Sequence, residues 1–209
     1  MSEMNTHLES EELNTEDLDM LAEIGNIGAG NAVTSLSVLL DSKLIMHSPK
    51  VSFMNFDDFV GCIGGPENVI VAVMCHIVGD IDGFVLFAAD LHDAHRLVNQ
   101  LNHEDLAKED DFTNMDLSAV KEIGNILIGS YLASMATLTG LDIRPTVPVM
   151  AIDMAGSVLG FPAIINSRDH DEILRIESEF DGEALSLIGH IMMIADSESY
   201  QVIRKKLGF

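Results

Sequence analysis

Apolar residues recur at intervals of three and four over residues 16–41, and this spacing predicts a long helix with one buried face. Thr15 is the predicted N-cap of this helix, because a side-chain oxygen there accepts a hydrogen bond from the first turn. The same pattern restarts after a polar stretch and predicts a second long helix over residues 116–139, with Gly140 as its C-cap.

Shorter runs of β-branched and aromatic residues, bounded by glycine and polar residues, predict strands. The predicted strands are residues 50–56, 69–78, 83–89, 147–154, 172–180 and 186–195. The segment GDIDG at residues 79–83 predicts a hairpin turn, and short helices are predicted at 90–101, capped by Asp90, and at 196–207. Each half of the chain therefore has one long helix, about three strands and one short helix.

The pentapeptide EIGNI begins at Glu23 and again at Glu122, 99 residues later, and the flanking residues follow the same offset. Each copy has an acid or a serine, then Glu, Asn and Pro at fixed spacing. These positions are Asp19, Glu23, Asn26 and Pro49 in the first copy and Ser118, Glu122, Asn125 and Pro148 in the second. Self-similarity at a fixed period identifies an internal duplication.

Neither half has enough strands to cover its own long helix, so we predict that the two halves fuse. The expected fold class is α+β, with pseudo-twofold symmetry and two long helices and shorter helices packed on a largely antiparallel sheet. The predicted domain is 16–209, made of repeats at about 16–102 and 115–209, with the charged run 103–111 between them. Residues 1–15 are predicted to be a mobile acidic N-terminus.

The 209-residue chain has 34 acidic and 11 basic residues, a formal net charge of −23. Such a field repels phosphate backbones and anionic lipid, so nucleic acid and membrane surfaces are excluded as partners without a basic patch. No apolar run approaches the ~20 residues of a membrane helix, and the N-terminus does not resemble a signal peptide. The two cysteines, Cys62 and Cys75, have no metal-binding spacing, so we expect a cytoplasmic protein without a metal of its own.

On the first long helix, Asp19, Glu23 and Asn26 are at positions i, i+4 and i+7, within roughly 60° around the axis. Asn can hold a water molecule in a fixed direction, and Glu can anchor a cation of another molecule. The polar stripe therefore suits a helix inserted into another protein's active site. Solvated surface or duplicated helix ends are the structural alternative.

Five glycines interrupt the two long helices, and each costs about 1 kcal/mol relative to Ala. They are Gly25, Gly28, Gly30, Gly124 and Gly129. We expect another backbone, from a neighbouring strand or from a partner protein, to approach them closely. The segment GNIGAG at residues 25–30 is not a dinucleotide-binding loop, because it lies within a predicted helix and follows no strand.

The duplicated pattern, over almost the whole chain, resembles the signature of the CheC, CheX and FliY phosphatases of chemotaxis. Members of this family dephosphorylate the response regulator CheY, whose phosphate is carried by an aspartate beside a bound Mg²⁺. The resemblance implies that the catalytic residues are Glu23, Asn26, Glu122 and Asn125, and that the substrate-binding residues are Asp19, Ser118, Pro49 and Pro148. Asn would position the attacking water, Glu would pair with the regulator's active-site Lys, and the regulator would supply Mg²⁺, so that no cofactor belongs to this chain.

Two intact motifs and no C-terminal flagellar-switch domain make the sequence similar to the CheC-like members of the family. That similarity implies a second partner, the receptor-modifying deamidase CheD. The alternative function is a non-catalytic adaptor that binds and sequesters the phosphorylated regulator or CheD. A structural role in the flagellar switch is disfavoured because the sequence lacks the switch extension.

Overall fold

The computed structural model describes residues 15–108, 110–166, 173–181 and 186–207. The first repeat forms α1 (Thr15–Leu39), β1 (Ile45–Met46), β2 (Lys50–Met54), α2 (Phe56–Cys62), β3 (Val69–Gly79), β4 (Gly83–Asp90) and α3 (Leu91–Leu101). The second repeat forms α4 (Asn114–Thr139), β5 (Ile143–Pro145), β6 (Val149–Met154), α5 (Ala155–Asn166), β7 (Ile173–Asp181), β8 (Ser186–Ala195) and α6 (Ser197–Leu207). The order of elements is thus the same in both repeats.

The eight strands found among the described residues belong to one sheet, in which every pairing is antiparallel. Strands β7, β8, β4 and β3 are neighbours in that order, and β4 pairs with β8 at the centre. The first repeat's β1 and β2 pair with β7 of the second repeat, while β5 and β6 pair with β3 of the first. This exchange of strands confirms the predicted pseudo-twofold α+β fold.

Successive side chains of a strand point to opposite faces of the sheet. Both faces of this sheet carry buried apolar side chains, and helices cover each of them. On one face, buried residues of α1 and α4, such as Ile24 and Ile123, pack with Val73 of β3 in the larger core. On the other face, α2 and α5 form a smaller core, in which Phe59 and Leu159 are fully buried. The long helices therefore expose their outer surfaces on one side of the molecule only.

The predicted helix ends are partly correct. The hydroxyl of Thr113 and the carboxylate of Asp116 form a capping box before α4, and Gly140 adopts the left-handed conformation (φ 69°) after it. Asp90 caps α3 as predicted, its carboxylate accepting a hydrogen bond from the Asp93 N–H at 2.7 Å. The prediction for Thr15 was wrong, because α1 already includes this residue. Residues 1–14 of the predicted N-terminal segment lie outside the described residues.

Two short helices, α2 and α5, and two short strands, β1 and β5, were not predicted. The predicted strand 50–56 ends at Met54, and Asn55 then caps α2 by accepting a hydrogen bond from the Asp58 N–H at 2.8 Å. An Asn followed three residues later by Asp is a helix start, so this cap was present in the sequence. By contrast, α5 follows β6 without a polar cap, and its apolar sequence has no marked helical periodicity.

Candidate functional site

The structure places the polar residues of both repeats on the solvent side of the two long helices. Asp19, Glu23 and Asn26, the first stripe, are exposed on α1, and Ser118, Glu122 and Asn125, the second stripe, are exposed on α4. Between them along α1, Leu21 and Ile24 are only 5% and 1% exposed. The apolar residues therefore bind each helix to the core, while the fold leaves the stripes free to contact another molecule.

The two prolines lie in different surroundings. Pro49 is buried behind the first stripe, where a Cβ at Gly25 would lie 3.1 Å from its Cγ. Pro148 is half-buried, and Gly124 instead faces Val73, whose Cβ would lie 2.5 Å from a Cβ at Gly124. Pro49 thus supports the helix from inside.

The two long helices approach each other closely at Gly28. A Cβ at this position would lie 3.0 Å from Cα of Tyr131 and 2.9 Å from its ring. The Tyr131 hydroxyl is hydrogen-bonded to Ser178 Oγ at 2.5 Å, and burial raises the pKa of Tyr131 to about 12 although this bond lowers it. The backbone that approaches Gly28 closely belongs to the other long helix, not to a strand or a partner protein as predicted. At Gly25 and Gly124 the nearest atoms are side-chain atoms of Pro49 and Val73, so the predicted approach of another backbone is not confirmed there.

Charge distinguishes the stripes. The first carries two carboxylates, Asp19 and Glu23, whereas the second has one, Glu122, next to the half-buried Lys121. The Ser118 hydroxyl donates a hydrogen bond to the carbonyl of Asn114 at 2.8 Å, and its lone pairs still face solvent. The second stripe is thus less negative than the first.

Exposed amide and carboxylate groups on a convex helix can donate and accept hydrogen bonds and form ion pairs with a concave partner site. Among the described residues, one group of His, Asp and Glu has ligand atoms close enough together for a metal ion: His47, Glu179 and Asp181. None of these three belongs to a stripe. An exposed Asn amide can orient a water molecule and an exposed Glu carboxylate can pair with a cation, so the side chains of the stripes allow both kinds of contact.

A charged cluster on the face covered by α2 and α5 was not predicted from the sequence. Glu177 of β7 accepts a hydrogen bond from Lys50 Nζ at 2.8 Å and forms an ion pair with Arg175, whose Nη2 lies 3.5 Å from His190 Nδ1. Burial and the neighbouring guanidinium lower the pKa of His190 to about 4. Burial opposes ionisation of Glu177, but Lys50 and Arg175 outweigh it and lower the pKa of this carboxyl.

The family comparison matches the segments that hold the stripes. The model of the CheC-like family matches residues 16–52 and 115–152, which contain most of the segment from α1 to β2 and most of the segment from α4 to β6. The CheY-P phosphatase CheC of Bacillus subtilis (strain 168) is 30% identical over 201 residues, which are 92% of this chain and 94% of that protein. The flagellar motor switch phosphatase FliY of the same organism is 27% identical over 140 residues, 66% of this chain and 36% of FliY.

Solved structures share the fold at lower identity. FliY of Thermotoga maritima superposes with a TM-score of 0.75 at 21% identity, covering 94% of this chain and 98% of that structure. The FliM middle domain of H. pylori gives a TM-score of 0.66 at 14% identity, covering 93% and 99%. Over the described part of the chain, no helix has both the length and the apolarity to cross a bilayer.

A duplicated α+β fold with an exposed Glu–Asn stripe on each long helix defines the architecture of this protein. Together with the matched segments and the 30% identity over nearly the whole chain, it assigns the protein to a family. The chain belongs to the CheC-like family.

Proposed function

We propose that this protein hydrolyses the aspartyl phosphate of a phosphorylated CheY-type response regulator in chemotaxis signalling. The Bacillus relative is named a CheY-P phosphatase and aligns with 92% of this chain. The observation that carries the proposal is the exposure of a Glu–Asn pair on each long helix, at equivalent positions of a duplicated fold.

In this proposal, the carboxamide of Asn26 or Asn125 enters the regulator's active site and orients one water molecule. The water attacks phosphorus, a new P–O bond forms, and the bond from phosphorus to the aspartate oxygen breaks. Inorganic phosphate takes up the water proton and leaves, and the regulator's carboxylate is restored. Because phosphoryl transfer is catalysed mainly by positioning and charge stabilisation, an amide that fixes the water is sufficient on this side.

Glu23 and Glu122 would anchor the complex through the regulator's active-site Lys. An exposed carboxylate one turn before the Asn is the matching group for such a cation. Asp19 and Ser118 would flank the contact at the N-terminal end of each stripe, and the Mg²⁺ of the regulator would stabilise charge on the phosphate. Pro49 would act from behind the helix, since it is buried against Gly25.

We extend the proposal to the deamidase CheD as a second partner and to the cytoplasm as the site of action. CheD follows from the resemblance to the CheC-like members. The reducing compartment is supported by Cys62 and Cys75, which are both free thiols.

A turnover assay tests the function. Sub-stoichiometric protein should clear a large excess of phosphorylated CheY-type regulator, measured as released phosphate. The variant Asn26→Ala/Asn125→Ala should lose the acceleration, by about 100-fold or more for loss of a positioned reactant. Both side chains are exposed, so the melting temperature should not change.

The matched control is Asn31→Ala, which removes an exposed Asn from α1 at a position about 140° around the helix from Asn26. This variant should keep full activity. Acceleration that survives in the double variant contradicts the mechanism.

A non-catalytic adaptor is the second candidate, because an exposed convex stripe docks a partner equally well without chemistry. An adaptor binds the phosphorylated regulator at a fixed stoichiometry and leaves its rate of phosphate loss unchanged. Multiple turnovers per protein exclude this function.

A further inference from the structure

Gly30 and Gly129 extend the two stripes by one helical turn. They are separated by the same 99 residues as the repeats, and each follows its Asn by four positions. On an α-helix this places Gly30 between Asn26 and Glu23 around the axis, about 5–6 Å further along it. Gly30 is exposed and Gly129 is half-buried.

The fold itself gives no reason for these two glycines. A Cβ at Gly25, Gly28 or Gly124 would lie within 3.1 Å of another residue, so internal packing accounts for those three positions. A Cβ at Gly30 or Gly129 would meet no atom within 4 Å in the part of the chain that the structure describes. Neither residue has a positive φ, so the backbone conformation does not require glycine either.

Glycine in the interior of an exposed helix is less favourable than Ala, because it increases the conformational entropy lost on folding. The same unfavourable residue stands at the same stripe position in both repeats, where none of the described residues occupies the space above it. The space is therefore available to a molecule that approaches the stripe from outside.

We propose that Gly30 and Gly129 are contact positions where the backbone of each long helix meets the rim of the phosphorylated regulator's active site. This inference rests on the proposed function. Without a side chain there, the helix comes close enough for the Asn one turn earlier to reach the phosphate. The two glycines thus set the depth of docking and contribute to specificity.

The variant Gly30→Ala/Gly129→Ala tests this inference because stability and activity should move in opposite directions. Each substitution should raise the melting temperature by about 2–4 °C, since Ala is the better helix former. The KM for the phosphorylated regulator should rise about tenfold with little change in kcat, because a methyl group forced into a packed contact weakens binding. Leu at both positions should raise KM further.

Gly61→Ala is the matched control. Gly61 is also an exposed helical glycine, and a Cβ there would likewise meet no atom within 4 Å, but it lies in α2, on the opposite face of the sheet. Its Ala variant should gain stability and keep the wild-type KM. A double variant at Gly30 and Gly129 that is stabilised but has an unchanged KM overturns the inference.

Binding of the beryllofluoride-loaded regulator, measured by calorimetry, separates this inference from the proposed function. If wild-type protein binds without turnover, the phosphatase proposal fails, and a weaker affinity of the Gly30→Ala/Gly129→Ala variant still supports the docking position. Equal affinity of wild type and this variant overturns the docking position. Wild-type protein that neither binds nor hydrolyses overturns both.

Discussion

The sheet face covered by α2 and α5 has two regions at equivalent positions of the two repeats, and one is charged where the other is apolar. Lys50 pairs with Glu177, and Val149, its equivalent 99 residues later, pairs with Met74. The charged region contains Lys50, Ser52, Arg175, Glu177 and His190, and its apolar counterpart contains Val149, Ala151, Ala72, Met74 and Leu86. Strand pairing is the same in both regions, although the side chains are not.

This contrast separates what the fold requires from what it does not. A strand in this sheet needs a partner and partial burial, and both an ion-pair cluster and an apolar patch meet that need. On the opposite face, the exposed Glu and Asn of each stripe serve no packing purpose, yet they are identical in both repeats. The two regions under α2 and α5 differ in sequence, although either set of side chains would pack there. The Glu and Asn of the stripes are the same in both repeats, although packing does not require them. This contrast supports a functional role for the stripes.

The largest difference is expected in the unfolding free energy that is lost by Glu177→Ala in the charged region and by Met74→Ala in the apolar region. Removing Glu177 leaves Arg175, whose side chain is 12% exposed, without its carboxylate, which should cost about 3 kcal/mol of unfolding free energy. Met74 is only half-buried, so its replacement should cost about 1 kcal/mol. Denaturant unfolding measures both, and equal losses would contradict the contrast.

Of these two regions, only the charged one should make the unfolding free energy depend on pH. The pKa of His190 is about 4 in the folded protein and 6.5 when unfolded, so the unfolded chain binds the proton first as the pH falls. Stability is therefore complete above pH 6.5 and decreases towards pH 4. Between pH 7.5 and pH 5 the loss should be about 1–2 kcal/mol, and measurements above pH 5 avoid the titration of Glu177.

The matched variant is His190→Leu, because Leu86 occupies the equivalent position in the other repeat. Its unfolding free energy should change less between pH 7.5 and pH 5 than that of wild type. An unchanged slope would show that other groups cause the dependence.

The smallest difference in stability is expected between Gly124→Ala and Gly25→Ala, which lie on the inner side of the two long helices. The new methyl at Gly124 would overlap Val73 Cβ, which is rigidly attached to β3, and the net cost should be about 1 kcal/mol after the gain in helix propensity. At Gly25 the new Cβ would lie 3.1 Å from Pro49, a longer contact. The steric cost of the methyl group and the gain in helix propensity should therefore nearly cancel. Thermal unfolding of both variants measures this difference, and the reverse order would contradict the account of the helix supports.

Local patterns in the sequence were sufficient to predict the long helices, the central strands and the fusion of two repeats. They did not predict α5, because its apolar residues lack a helical period and no polar cap precedes it. They also did not predict the charged cluster, since Lys50 and Glu177 are 127 residues apart and meet only through the exchange of strands between repeats. The exposure of Asn26 and Asn125 was predictable, because the apolar residues around them recur at intervals of three and four and leave the Asn on the polar side of each helix. The difference in burial between Pro49 and Pro148 was not predictable, because it depends on tertiary packing.

The central claim is that each long helix carries its own phosphatase site, and single-site kinetics test it most directly. Phosphate release from a phosphorylated CheY-type regulator should be measured with wild type, Asn26→Ala, Asn125→Ala and the double variant. Each single variant should retain part of the activity, and the double variant should retain none. Full loss of activity in either single variant, or full activity in the double variant, would contradict the account of two sites.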